Sequence, residues 1–340
     1  MNITSIKKKL QNVGGTTATL GPHGPSAPDL NTSVVVVEQT NKVYRETSSY
    51  VVVDQTLESI GKKIVEKSRG VSLAIRSLGG ILHGKIEERE WINVLRGDFW
   101  KLCEDNKDNI LPVLKLSYKN LSPEQRHCFA YCSLCPKDRE IKKDELIQIW
   151  MAQGYLECSI EEQCMEDVGN QFVNIFLMKS FFQNAKMNQD GNIDHFKMHD
   201  LMHDLETQVA GNDCRYLDSK AKRCLGRPMH VSVGFDAFCL LESLDSSRLR
   251  TLIILGTLDG DVLTVISTFK YLNVLKLRYS SFSKLSISID KLKHLRHLNL
   301  SRCHGLESLP KCIGNLVCLQ TIKLLLDEKK SYFLPKLSQN

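Results

Sequence analysis

From Leu57 onward the apolar residues recur three and four positions apart, which predicts helices before anything else is known of the chain. Leu57, Ile60, Ile64 and Val65 fall on one face of a first helix, and Gly70 can supply its left-handed stop. Ser72 heads a second helix as its cap, ahead of Leu73, Ile75, Leu78 and Leu82. A third covers about 87–96, with Trp91, Ile92 and Leu95 apolar, and a fourth covers 110–118. Ser122-Pro123-Glu124-Gln125 reads as a capping box with proline at the first helical position, after which Cys128, Phe129 and Cys132 face the core. Residues 144–153 follow, with Leu146, Ile147, Ile149 and Trp150 apolar and Gly154 as the stop; 165–179 is a longer amphipathic helix. The period then shortens to two in FFQNAKMNQDGNIDHFKM, which predicts two strands around Asp190-Gly191. It returns to the helical period at Leu201, Met202, Leu205 and Val209.

A different order rules beyond Arg248. Leu249/Leu252/Ile254, Leu272/Leu275/Leu277, Leu295/Leu298/Leu300 and Leu319/Ile322/Leu324 each fit L-x-x-L-x-L, spaced 23, 23 and 24 residues apart. That period belongs to leucine-rich repeats, in which each unit adds a short strand and the x positions line a concave face. The weakly patterned tail SYFLPKLSQN is a poor cap for the open apolar end of such a stack. At the other end, residues 1–32 are rich in Gly, Pro, Ser, Thr and Asn and read as disordered. SVVVVEQT (33–40) recurs as SYVVVDQT (49–56), a marginal hairpin at most. The fold expected is therefore mixed α and β: a helical subdomain over 57–106, a winged-helix domain over 107–215 and an α/β leucine-rich-repeat solenoid over 216–340. A disordered or weakly paired amino terminus, 1–56, precedes them.

Composition narrows the functional classes. With 42% hydrophobic and 25% charged residues the chain is an ordinary globular one, and a net charge of +6 over 340 residues does not argue for nucleic acid. The one locally basic stretch is Lys291, Lys293, Arg296 and Arg302. Twelve cysteines without framework spacing suggest free thiols in a reducing compartment. There is no apolar run of membrane-spanning length, and Lys7-Lys8-Lys9 leads into a segment too polar for a signal core. The location expected is cytoplasmic.

His199 and Asp200 stand at the strand-to-helix changeover. Three readings are open there: Asp200 as an N-terminal cap, a phosphate contact, or a metal site using His199 and His203, which are four apart. No glutamate follows His199 as in the zinc-binding H-E-x-x-H, so no metal is expected. Cys128-x3-Cys132-x2-Cys135 has the spacing of an iron–sulfur motif, yet its first two cysteines lie on a core-facing helix face, which favours packing. A winged helix can place a helix in the major groove, but 165–179 begins Met-Glu-Asp and offers phosphates only Lys179.

Met198-His199-Asp200, followed by Leu-Met-His-Asp-Leu, resembles the MHD motif of plant nucleotide-binding leucine-rich-repeat (NLR, NB-ARC) disease-resistance proteins. LPVLKLSYKNLSPEQRHCFAYCSLCPKD and ELIQIWMAQGYLE resemble the stretch that precedes it, and Gly70-Val71-Ser72-Leu73-Ala74 stands where the family has Gly-Leu-Pro-Leu-Ala. The resemblance covers about 57–325 and implies an amino-terminally truncated member, with 57–106 a remnant of the nucleotide-binding domain. It also implies a function in defence response, with no catalysis. By carry-over, His199 would reach the β-phosphate of ADP, while Ser72 and Leu73 would sit at the adenine, Ser72 replacing the family's proline. No G-x-x-x-x-G-K-[ST] occurs in these 340 residues, so the ADP or ATP that the family implies is not expected to bind this chain. Partners implied are a pathogen effector or a guarded host protein on the repeats, and an intramolecular contact between winged helix and repeats; no nucleic acid is expected. The alternatives are a DNA-binding winged-helix protein and a pseudogene product without a selected role.

Overall fold

The computed structural model describes residues 55–69, 71–104, 110–158, 163–218, 226–234, 237–256, 262–277, 285, 287–303, 306 and 308–324. The expected disorder and hairpin before residue 55, the stop at Gly70 and the tail beyond Leu324 lie outside them. The chain divides into two units, the first ending at Lys62. Of that unit only the start of helix α1 (Gln55–Lys67) is described, with an exposed Glu58–Lys62 ion pair one turn apart.

The second unit opens with three short helices, α2 (Ser72–Leu82), α3 (Glu88–Leu95) and α4 (Phe99–Glu104). α2 buries Leu73, Ala74, Leu78 and Leu82, and the Trp100 indole donates to the Val94 carbonyl at 2.9 Å. Ser72 is not the cap expected of it. The N-cap is Val71, and Ser72 is the first helical residue, its Oγ accepting from Nε and Nη2 of Arg76 one turn on.

The winged helix follows in α5 (Leu111–Lys119), α6 (Pro123–Tyr131), strand β1 (Ile141–Lys142), α7 (Lys143–Gln153), α8 (Met165–Met178), strands β2 (Phe182–Met187) and β3 (Ile193–Met198), and α9 (Asp200–Ala210). Both halves of the Ser122–Gln125 capping box form. Gly154 ends α7 at φ +76°, and Gly191 turns the β2–β3 hairpin at φ +75°, conformations that suit glycine. β1, too short to carry a period, adds a third antiparallel strand in the order β1-β3-β2. The core is aromatic: Phe129 meets Phe181 edge-on at 4.8 Å, and Phe182 stacks on Phe196 at 4.3 Å. α8 crosses α7 closely enough that a Cβ at Gly169 would lie 2.5 Å from Ile147.

The remainder builds one parallel sheet of six strands in sequence order: β4 (Cys214–Leu217), β5 (His230–Val233), β6 (Thr251–Ile254), β7 (Val274–Leu277), β8 (His297–Asn299) and β9 (Thr321–Lys323). Leu252, Leu275, Leu298 and Ile322 pair across β6 to β9 in one register, so each sequence period delivers one strand. Leu252, Leu275 and Leu298 are fully buried in a single apolar cluster with the crossing segments, including Phe269 and Leu292. β4 and β5 were not expected. Neither carries L-x-x-L-x-L, yet both join the ladder.

Candidate functional site

β3 hands the chain to α9 at His199. Phe196 is held by its stack on Phe182, Met198 is paired with Phe182, and Met202 and Leu205 are fully buried on the far side of the turn. His199 thus leaves the strand in extended conformation (φ −73°, ψ 141°) and becomes the N-cap itself. Its Nδ1 accepts from the Leu201 amide at 3.3 Å, which requires the proton on Nε2. The expected cap was Asp200. That residue is instead the first of the helix and exposed, because the side chain that can reach an orphan amide of the first turn belongs to the residue still in extended conformation. His203 turns the other way and donates from Nε2 to the Cys135 carbonyl at 2.9 Å. Ser72, Leu73 and His199 therefore act within their own helices, and no hydrogen bond joins them among the described residues.

The cysteines of the 128–135 run sit as packing predicts. Cys128 and Cys132 are fully buried, and the Cys132 thiol points back to the Cys128 carbonyl at 3.4 Å. Burial pushes the Cys128 and Cys132 thiols well up, and Cys135 up to about 12, so none is held as the thiolate a cluster requires. Among the described residues no group of three or more His, Cys, Asp or Glu is placed to hold a metal. α8 buries Val168, Val173 and Phe176, and Lys179 just beyond it donates to the Asn120 carbonyl at 3.2 Å instead of projecting as a phosphate contact.

A larger constellation lies elsewhere, where α6, α7 and the turn after each meet the sheet. The strand positions opposite the leucines were expected to line an open concave face. Instead Thr251, Val274, His297 and Asn299 are buried, because the winged helix covers them. Tyr131 Oη lies 2.9 Å from Thr251 Oγ1, and the Gln153 amide donates to that same oxygen at 2.7 Å. Tyr155 Oη is 3.0 Å from Nε2 of His230, whose Nδ1 is 3.0 Å from Thr251 Oγ1. Further along α7, Asn299 donates to the Glu145 carboxylate at 2.9 Å, and Lys276 forms an ion pair with it at 13% exposure on both sides. Little of α7 is free: Leu146, Ile149 and Trp150 are buried together with Ile147 and Ala152, and Asp144 is its exposed residue.

The cover alters the chemistry of what it encloses. Burial, helped by Arg250, lowers His230 to about 3. Burial lowers His297 to about 3 as well; Lys323 and Lys276 push the same way and Glu145 opposes them. Both rings are neutral, and neither nitrogen of His297 has a hydrogen-bond partner. Tyr131 is raised well above its ordinary value, again chiefly by burial. Sequence reading singled out none of these residues. The available signal was Val274 and Ile253, apolar at positions that an open face would leave polar.

Residues 134–206 match the family described as "Disease resistance protein Winged helix domain". The chain is 38% identical over 249 residues to the disease resistance protein RGA1 of Solanum bulbocastanum, covering 73% of this chain and 23% of that one. It is 35% identical over 286 residues to disease resistance protein RGA2 of the same plant, covering 84% and 27%. To the disease resistance RPP13-like protein 1 of Arabidopsis thaliana it is 30% identical over 286 residues, covering 79% and 26%. The chain thus spans about a quarter of the length of the curated relatives it matches.

Proposed function

Since the chain belongs to the plant disease resistance proteins, we propose that it serves defence response as a protein-interaction module, whose winged helix closes over the first leucine-rich repeats. The single observation that carries this reading is the buried polar seam from Tyr155–His230 to Glu145–Asn299. We read the domains as 57–106, 107–215 and 216–340, with the last boundary moved back to Cys214 so that β4–β9 and their crossing segments form that repeat solenoid. Partners of the repeats would be a pathogen effector or a guarded host protein, met in the cytoplasm, with no catalysis by the chain. No helix among the described residues is long and apolar enough to cross a membrane. Thiol labelling tests the closure: a cysteine in place of Val274, on the covered face, should be protected at neutral pH. Labelling of that thiol at the rate of an exposed one, with the sheet still folded, would sink it.

The nucleotide that the family implies does not fit the residues present. The cap on α9 uses His199 Nδ1 and leaves only its Nε2–H to meet a phosphate, while Ser72 Oγ is taken by Arg76. Affinity for a diphosphate rests on backbone amides at a helix start, a lysine and a bound cation. A single charge-assisted contact from His199 contributes about 1.5–3 kcal/mol, whereas micromolar binding needs about 8 kcal/mol. Titration calorimetry with ADP and Mg²⁺ should give nothing tighter than about millimolar, in the wild type and His199→Ala alike. A micromolar isotherm lost in His199→Ala would reverse this conclusion.

A further inference from the structure

Resting on that closure, we propose that His230 and His297 make it an acid-sensitive latch: protonation of either ring releases the winged helix from the sheet. His230 opens β5 and His297 opens β8, both on the face that α6 and α7 cover, and their exposures are 3% and 0%. Their surroundings hold the neutral rings and would oppose the charged ones. His230 is bounded by the Tyr155 and Thr251 hydroxyls, by the Tyr131 ring at 5.1 Å and by the Arg250 charge. Among the described residues no carboxylate shifts it, and the Cys214 thiol lies beside it on β4. His297 faces Lys276 and Lys323 on the strands beside it and Glu145 on α7. That one carboxylate bonds Lys276 and Asn299 and makes no hydrogen bond to the His297 ring. With both ring nitrogens buried and without partners, a second proton on His297 would be an unpaired charge in the interface.

The direction follows from which state binds more protons. The closed form keeps both rings near 3, while the open form returns them to the ordinary value, about 6.5. Closure is complete above about pH 6.5 and weakens as pH falls from there toward 3. Each ring then favours opening by about tenfold between pH 7.5 and 5.5, and the two together by about a hundredfold. Glu206 on α9, fully buried and pushed up by burial, titrates with the opposite sign, but it acts on Cys132, Cys135 and Cys214 and on neither histidine.

The experiment uses the full chain and compares wild type with His230→Gln/His297→Phe, which keeps a hydrogen-bonding group at one site and a ring at the other without titration. Opening constants come from the labelling rate of a Val274→Cys thiol introduced into both proteins, corrected for intrinsic rate, so that contributions from Glu206 cancel in the ratio of the two proteins. That ratio should rise about a hundredfold from pH 7.5 to 5.5, and about tenfold with either single variant as reference. A ratio independent of pH overturns the latch while leaving the cover intact, whereas an unprotected thiol at pH 7.5 would overturn the cover itself. Should the double variant fold poorly, the wild-type imidazole C2–H resonances decide. Either of these two rings titrating near 6.5 while the Val274→Cys thiol stays protected refutes the proposal.

Discussion

The two faces of the parallel sheet are both buried, yet they are buried in different materials. One carries Leu252, Leu275 and Leu298 against the chain's own crossing segments, without a polar side chain in the ladder. The other carries Thr251, His297 and Asn299 against α7, and hydroxyls, amides and an ion pair meet there. An apolar face loses free energy in proportion to the area returned to water, whereas polar groups recover hydrogen bonds from water when a seam parts. The leucine face therefore defines the fold, and the polar face defines a contact that can be undone with the fold intact.

The sharpest way to break this contrast is a charge on the leucine face. Leu298→Asp should cost several kcal/mol, about 4 or more, and unfold the sheet in urea before the winged helix. On the opposite face, Glu145→Ala strands the Lys276 charge and the Asn299 amide in a largely buried seam. It should cost about 3 kcal/mol, and the loss should register as faster labelling of a Val274→Cys thiol more than as a lower Tm. If that variant melted as early as Leu298→Asp, the two faces would not differ in kind. Arg296→Ala, half-buried just before β8 with its guanidinium near the Gly154 turn, should shift stability by less than about 0.5 kcal/mol. A loss above about 3 kcal/mol there would mean that the edge of the seam contributes more than its centre.

Much of this was legible in the sequence, and the exceptions share a physical cause. The winged helix announces itself through local devices, such as the Ser122–Gln125 box, the stop at Gly154 and the turn at Gly191, each written within a few residues. β6 to β9 follow from a period that any three repeats reveal. β4 and β5 escape because their outward positions are Cys, Tyr, His and Ser, which no apolar pattern marks. The cap of α9 was assigned to Asp200 when His199 supplies it, since one residue of helix boundary decides which side chain caps. The polar seam was not legible at all: Tyr155 meets His230 across 75 positions and Glu145 meets Asn299 across 154, and nothing local to either end specifies the other.

Those separations also set a clock. A ribosome adding about 5–20 residues per second makes Glu145 about 8–30 seconds before Asn299. Through that interval α7 must wait without its cover, in a crowded cell, on a chain still being made. The polar side chains it presents on that side, flanking Ile149, are Glu145, Gln153 and, just past its end, Tyr155, which water solvates well. A row of leucines in the same place would have been sticky for the whole of the wait. The polarity of the seam thus suits the order of synthesis, in which the earlier partner must remain presentable until the later one arrives.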